Sequence, residues 1–285
     1  MSQGNDLDKK SKHFTGLYLV ATPIGTLADI TLHALEVLKN VDVIACEDTR
    51  VTQKLLHHYG IDIKLFSYHD HNAPKVRPKL LQMLAEGQSI ALVSDAGTPL
   101  IADPGYQLVK ACYAKCIPVT SAPGACSPIV ALTLSGLSTN RFCFAGFIPT
   151  KSQARQSFFE QFNPHHGTLI FFETAKRLLA SLQGMQNVWP NTQACVAREL
   201  TKKFEEVRTD TLPDLIQHYE RVGAPRGEVI VLVDSRTFPQ SDNNRLDELL
   251  AIVLKETTVR DGVNLVADIS GLPRREVYQR ALQIR

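Results

Sequence analysis

Short apolar runs of strand length alternate with stretches of helical spacing, and this alternation constrains the chain more than any other feature. The runs at 17–21, 41–46, 90–93 and 117–120 are apolar, and segments such as 31–39 repeat their apolar residues with helical period. Strands separated by helices pair in parallel, and a parallel sheet covered on both faces is apolar along its strands. The chain therefore reads as α/β. Further runs at 142–147, 168–172, 194–197 and 229–233 predict more strands, and 204–208 predicts one returning antiparallel through a tight turn at Lys202-Lys203. Asp103-Pro104 reads as the capped start of a helix, with proline at its first position.

The expected division is a loose tail over 1–15, an α/β domain over 16–130, a second over 131–235, a linker over 236–244 and a helical module over 245–285. The boundary between the α/β domains is placed in the helical stretch 127–139. The linker is polar and carries Pro239; beyond it Leu246, Leu249, Leu250 and Val253 share a helix face, and Gly271-Leu272-Pro273 marks a turn.

At 285 residues and 44% hydrophobic, the chain is long enough for two cores. Its net charge of +2 excludes a non-specific nucleic-acid coat, so an RNA partner needs local basic patches. No apolar stretch approaches the roughly 18 residues of a spanning helix. Cys46, Cys112, Cys116, Cys126, Cys143 and Cys195 form no C-x-x-C pair, which points to a reducing cytoplasm and no structural metal.

Ligands of open parallel sheets bind outside the carboxyl ends of the strands. Those ends carry Thr22-Pro23-Ile24-Gly25, Glu47-Asp48-Thr49-Arg50, Ser94-Asp95-Ala96-Gly97-Thr98-Pro99 and Ala122-Pro123-Gly124-Ala125. Glycine lets a ligand approach the backbone, and proline stiffens the loop. Loops that merely end strands look similar one at a time; four on one edge suggest a nucleoside-like ligand. The lysine phosphate loop, G-x-G-x-x-G after the first strand and G-x-S-x-G are all absent, which removes support for triphosphate hydrolysis, hydride transfer and serine hydrolysis.

Asp95 sits at a strand tip, where it could bind an amine or hydroxyl or simply cap a turn. Glu47, Asp48 and Arg50 could orient a phosphate and ribose or form a local ion pair. His69-Asp70-His71-Asn72 lacks a third metal ligand, so substrate contact or loop structure is the better reading. In the second half, 173–177 and 197–203 place charges at strand ends, where Arg198 and its neighbours could hold RNA phosphates or form a solvated rim. Gly227, between Arg226 and Glu228, permits another close approach.

Together these motifs resemble the tetrapyrrole methylase superfamily and, within it, the ribosomal RNA small subunit methyltransferase I family. The resemblance rests on Thr22-Pro23-Ile24-Gly25 with Leu27-Ala28-Asp29-Ile30-Thr31, Glu47-Asp48-Thr49-Arg50, His69-Asp70-His71-Asn72, Ser94 to Pro99 with Asp103-Pro104-Gly105, and Ala197-Arg198-Glu199-Leu200-Thr201-Lys202. It implies two α/β domains of the class III methyltransferase type with S-adenosylmethionine in the cleft between them. It also implies transfer of a methyl group to a cytidine 2′-oxygen of 16S ribosomal RNA near the decoding centre, within the small ribosomal subunit, by a homodimer. Pro23, Asp95, Gly97, Thr98, Gly124, Ala125, Cys126, Phe172, Ala197 and Gly227 would hold the cofactor. Thr22, Gly25, His69, His71 and Arg198 would face the RNA, and Glu47, Asp48, Arg50, Glu199 and Lys202 would serve the chemistry.

A ribose hydroxyl is a poor nucleophile, so alignment supplies much of the rate and a nearby base takes the proton. Asp48, Glu47, Glu199 and Lys202 are the candidates, and the sequence does not choose among them. In the tail, Arg274, Arg275, Arg280 and Arg285 face only Glu276 in charge, which suggests a helix-turn-helix-like module on the RNA backbone or, alternatively, a cap packed on the body. Two other readings are a small-molecule tetrapyrrole methylase and a non-catalytic RNA-binding assembly protein.

Overall fold

A computed structural model describes residues 15–162, 167–235, 243–270 and 273–284. The expected tail, apart from Thr15, most of the linker, the Gly271-Leu272 half of the last turn and Arg285 lie outside the described residues. The chain divides into two compact units, Met1–Ser235 and Arg236–Arg285.

The larger unit holds two sheets. The first comprises β1 (Leu17–Val20), β2 (Val43–Cys46), β3 (Leu65–Ser67), β4 (Ile90–Val93) and β5 (Val119–Ala122), in the order β3-β2-β4-β1-β5. Every pair is parallel. Successive strand residues point to opposite faces. Leu17, Val43, Ala45, Ile90 and Leu92 pack on one face, against α3 (Ala73–Ala85) and α4 (Tyr106–Ala114). Val20, Ile44, Cys46, Ala91 and Val93 pack on the other, against α1 (Leu32–Asn40) and α2 (Thr49–His58). Thr31 caps α1 by accepting from the Ala34 amide, and Asp48 caps α2 by accepting from the Arg50 amide.

One local expectation fails. Asp103-Pro104 does not begin a helix: α4 starts at Tyr106, with Gly105 before it at φ 134°. The preceding loop also carries Leu100 and Ala102 in left-handed conformation, at φ 73° and 64°. Such conformations cost about 1–3 kcal/mol each in non-glycine residues and persist only when the surroundings enforce them. Here a Cβ at Gly105 would lie 2.6 Å from Leu92 Cδ2, so core packing fixes one end of the loop.

The second sheet comprises β6 (Phe142–Phe147), β7 (Thr168–Thr174), β8 (Gln193–Arg198), β9 (Glu206–Thr211) and β10 (Glu228–Asp234), in the order β6-β7-β10-β8-β9. Only β6 and β7 are parallel; the other pairs are antiparallel. The expectation of a largely parallel sheet thus holds for the first half alone. The expected return strand is real, but it runs from Glu206 to Thr211. Inward residues Ile170, Cys195, Ala197, Ile230 and Leu232 pack against Ala131 and Leu132 of α5 (Ser127–Leu134). Phe171 packs with Phe159 of α6 (Ser152–Glu160) and with Trp189, just after α7 (Leu178–Val188). After β9 the chain continues into α8 (Leu212–Val222), which Thr211 caps.

The smaller unit is three helices, α9 (Asn243–Glu256), α10 (Val259–Ser270) and α11 (Arg274–Ile284), around Leu246, Leu250, Val263, Val266, Ala267, Val277 and Ala281. Arg280 of α11 forks onto Asp247 of α9, its Nε 2.7 Å from Oδ1 and its second nitrogen 2.9 Å from Oδ2. No helix among the described residues is long and apolar enough to cross a membrane.

Candidate functional site

The carboxyl ends of β1 and β4 meet the second sheet at a cleft with a cavity volume of about 380 Å³. That lies within the ~300–1,000 Å³ common for small-molecule sites. Its first-sheet wall is Ile24, the 95–98 loop, Ile101 and Asp103; its second-sheet wall includes Phe172, Ala197, Glu199 and Gly227. Of the expected cofactor residues, Asp95, Gly97, Thr98, Cys126, Phe172, Ala197 and Gly227 line this cleft.

The others support it from behind. Thr22, expected to face the RNA, is instead buried: it pairs with Gly97 through both backbone hydrogen bonds, and its hydroxyl donates to the Ser94 carbonyl at 3.2 Å, so it braces the loop. Pro23, next in the chain, is also buried. The Thr98 hydroxyl donates to the Ala125 carbonyl at 2.9 Å. Gly124 abuts Ala21, where a Cβ would lie 3.0 Å from the alanine methyl. The strand-end loops therefore brace one another, which explains their glycines and prolines structurally as well.

The two walls are clamped at one end. The Thr26 amide donates to Thr201 Oγ1 at 3.1 Å, and the Thr26 hydroxyl donates to the Thr201 carbonyl at 2.5 Å. Gly25 lies against Thr201 and Lys202. Glu199 and Thr201 both hold positive φ, 49° and 62°, so this turn is enforced by its contacts. Gly227 sits so close that a Cβ there would fall onto the Glu199 carboxylate.

Charges at the second-sheet wall are tied down. Lys202 Nζ lies 3.1 Å from both Glu199 Oε1 and Glu228 Oε2. The Glu228 amide and then Lys202 and Arg198 hold the Glu199 carboxyl below its ordinary value, against desolvation. Burial works to lower Lys202, but its bonds to Glu199 and Glu228 outweigh it and the ammonium is held above its ordinary value. Arg198 pairs with Glu206 on the facing strand at 2.7 Å. Buried Glu173 pairs with Arg177 at 2.5 Å and accepts from the Ser181 hydroxyl and the Thr174 amide.

The first-sheet wall is different. Asp48 is bound by Arg50, which holds its carboxyl down to about 2, and the Arg50 side chain is otherwise 86% exposed. Asp95 Oδ1 accepts from the Asp48 amide at 3.0 Å. Glu47 is raised by burial, then by Asp95 and Asp70, with His69 opposing. Asp103 is pushed up to about 6 by burial, opposed by the Ser94 hydroxyl and reinforced by Glu47 and Asp95. His69 and His71 stack edge-on at 5.9 Å, in a turn that Asn72 closes through the His69 amide and the Ser67 carbonyl. Among the described residues no group of three or more His, Cys, Asp or Glu is placed to hold a metal.

The cleft lining includes residues that the motifs did not single out for the site, Asp103 and Phe147 among them. Asp103 was hidden by its resemblance to a helix cap. Phe147 is 57% exposed and lines the cleft beside Phe172, 5.2 Å between ring centres. A register shift in β6 between Phe144 and Phe147 sets it there, as bulges often do beside sites. Asp95 and Asp103 face the cleft with no ion-pair partner among the described residues. The cleft thus joins apolar and aromatic surface, open backbone at Gly97 and Gly227 and two uncompensated carboxylates, a set that suits a nucleoside carrying positive charge.

Fold and cleft define a methylase of the tetrapyrrole type: residues 16–216 match the tetrapyrrole (corrin/porphyrin) methylase family, and residues 240–285 match the RsmI C-terminal HTH domain. Solved structures agree on the fold. Diphthine synthase superposes with a TM-score of 0.61 at 15% identity, over 78% of this chain and 90% of that one. Uroporphyrin-III C-methyltransferase from Thermus thermophilus, complexed with S-adenosylhomocysteine, superposes with a TM-score of 0.54 at 17% identity, over 77% and 98%. Sequence relatives are nearer. Ribosomal RNA small subunit methyltransferase I of Escherichia coli O157:H7 is 44% identical over 94% of both chains, and that of Erythrobacter litoralis is 46% identical over 95% of both. The chain belongs to the ribosomal RNA small subunit methyltransferase I family.

Proposed function

We propose that this protein is an S-adenosylmethionine-dependent methyltransferase that acts on 16S ribosomal RNA, at the ribose 2′-oxygen of a cytidine near the decoding centre. The observation that carries the reading is one chain joining the charged cleft to a three-helix unit, with near-full-length likeness to small-subunit RNA methyltransferases. S-adenosylmethionine supplies a methyl group already activated on a sulfonium. Gly97, Thr98, Cys126, Phe172, Ala197 and Gly227 line its cleft, and Asp95 offers a carboxylate to its amine or hydroxyls. Uncompensated acid at Asp95 and Asp103 favours a cationic cofactor over an anionic one. The apolar walls keep water from the reacting atoms.

The RNA approaches from the Glu47–Arg50 side, where exposed Arg50 and the His69-His71 turn lie. Arg274 and Arg275 on the three-helix unit add phosphate contacts. Arg280 is a weaker candidate, because Asp247 already fills its guanidinium fork. The substrate is the small ribosomal subunit, the enzyme works as a homodimer, and its compartment is the cytoplasm. Exposed apolar side chains such as Tyr106, Tyr113 and Phe142 offer surface for self-association.

Labelled S-adenosylmethionine should be given in parallel to small ribosomal subunits, naked 16S RNA and a tetrapyrrole. Label in the RNA, resistant to alkaline cleavage as a 2′-O-methyl ribose, is the expected result. Label in the tetrapyrrole alone would move the protein to the small-molecule branch of the superfamily. Cofactor binding with no transfer to any acceptor would favour a non-catalytic assembly role.

A further inference from the structure

We infer that Asp103 is the general base that takes the proton of the ribose 2′-hydroxyl. The inference rests on the function proposed above and names a residue for its chemistry. Three observations lead to it. Asp103 lines the cleft on the same wall as Asp95, Gly97 and Thr98. The loop that presents it is built against backbone preference, with Leu100, Ala102 and Gly105 all at positive φ within six residues. Leu100 packs on the first core and Gly105 abuts Leu92, so the loop is fixed by the core beneath it.

The third observation is elimination by partner. Asp48 is bound to Arg50, Glu199 to the Glu228 amide and Lys202, and Lys202 to two carboxylates. Each is held in its charged form by a bond it would have to surrender. The groups facing Asp103 are the Ser94 hydroxyl, Glu47 and Asp95, none of them a cation. A carboxylate in such company gains by accepting a proton, and its affinity of about 6 lets it stand ionised and ready at neutral pH. Glu47 shares the neighbourhood but lies outside the cleft lining.

In the step, the 2′-O–H bond breaks and its proton passes to an Asp103 carboxylate oxygen. The oxygen lone pair forms the new O–CH₃ bond, the C–S bond breaks, and its electron pair returns to sulfur as a neutral thioether. Charge balances: a sulfonium and a carboxylate become a thioether and a carboxylic acid, which then gives its proton to water.

The test compares wild type with Asp103→Asn, which keeps size and polarity but cannot take the proton. Single-turnover methyl transfer to small subunits is followed at saturating cofactor from pH 5 to 8, with cofactor affinity by calorimetry. The wild-type rate should climb through about pH 6 and then level. Asp103→Asn, having lost one of the two carboxylates that face the cation, should bind cofactor up to about tenfold more weakly, yet at saturating cofactor it should transfer about 10²–10⁴-fold more slowly, without the low-pH limb. A variant rate within tenfold of wild type, a flat wild-type profile, or loss of cofactor binding in a folded variant would each overturn the assignment. Wild type yielding no 2′-O-methyl product is a different failure: it sinks the functional reading, and the base with it. The wild-type profile needs no variant, so misfolding of Asp103→Asn would not shield the idea.

Discussion

The two walls of the cleft hold charge in opposite ways. On the second sheet every cleft-side charge has a partner: Glu173 with Arg177, Arg198 with Glu206, and Lys202 with Glu199 and Glu228. On the first sheet Glu47, Asp95 and Asp103 gather with none of the three in an ion pair among the described residues, and burial first, then their mutual repulsion, holds Glu47 and Asp103 above their ordinary values. Paired charges brace a structure, because each partner would pay heavily if left alone in a buried place. Unpaired carboxylates cost stability and gain reactivity. The contrast marks one wall as a frame and, on the proposal above, gives the chemistry to the other.

The largest effect that could break this contrast lies in the frame. Glu173→Ala strands Arg177 and the Ser181 hydroxyl against a buried site, and should cost about 3–5 kcal/mol in denaturant unfolding. A loss below ~1 kcal/mol would show that the second-sheet pairs are ornamental.

Asp95→Ala acts on the reactive wall. Calorimetry should show cofactor affinity weakened by about 1–3 kcal/mol, tenfold or more, in a protein that still folds. Unchanged affinity would remove Asp95 from the site.

Asp103→Asn sharpens the comparison through stability. An aspartate raised to about 6 in the folded protein holds its proton more tightly there than in the unfolded chain. Wild type therefore loses stability as pH rises from about 4 to 6 and does not regain it above. Asparagine does not titrate, so the variant should melt higher than wild type at pH 7–8, by ~2–4 °C for each kcal/mol relieved, with the gap shrinking toward pH 4. A variant that melts lower at pH 7 would place Asp103 among the frame residues.

The smallest effect concerns the three-helix unit. Arg275→Ala should reduce the salt slope of RNA binding by about 0.7–0.9, the value of one phosphate contact. Arg280→Ala should instead loosen the unit by freeing Asp247, with little change in slope. Equal slope losses from both would show that Arg280 leaves Asp247 to bind RNA.

The sequence revealed the strands well where they are fully buried, because residues 90–93 or 169–171 must be apolar whatever they pair with. Strand direction in the second half was not legible: antiparallel pairing of β10 with both neighbours depends on contacts dozens of residues apart. Edge strand β3, two half-buried residues and an exposed one, carries no pattern to read. The strand-end loops were legible because glycine and proline cluster there. Asp103 was misread because Asp-Pro satisfies helix-start chemistry locally, while packing of Leu100 and Gly105 on the core decides otherwise. Phe147 was missed because a bulge changes which face a residue takes without changing its sequence.

The most direct measurement is a structure of the enzyme with S-adenosylhomocysteine and a cytidine nucleotide bound together. The thioether sulfur should lie in the cleft between the 95–98 loop and the Phe172–Gly227 wall, with an Asp103 oxygen about 2.6–3.2 Å from the ribose 2′-oxygen. A cofactor seated outside this cleft, or a 2′-oxygen held instead by Lys202 or Glu199 with Asp103 turned away, would contradict it.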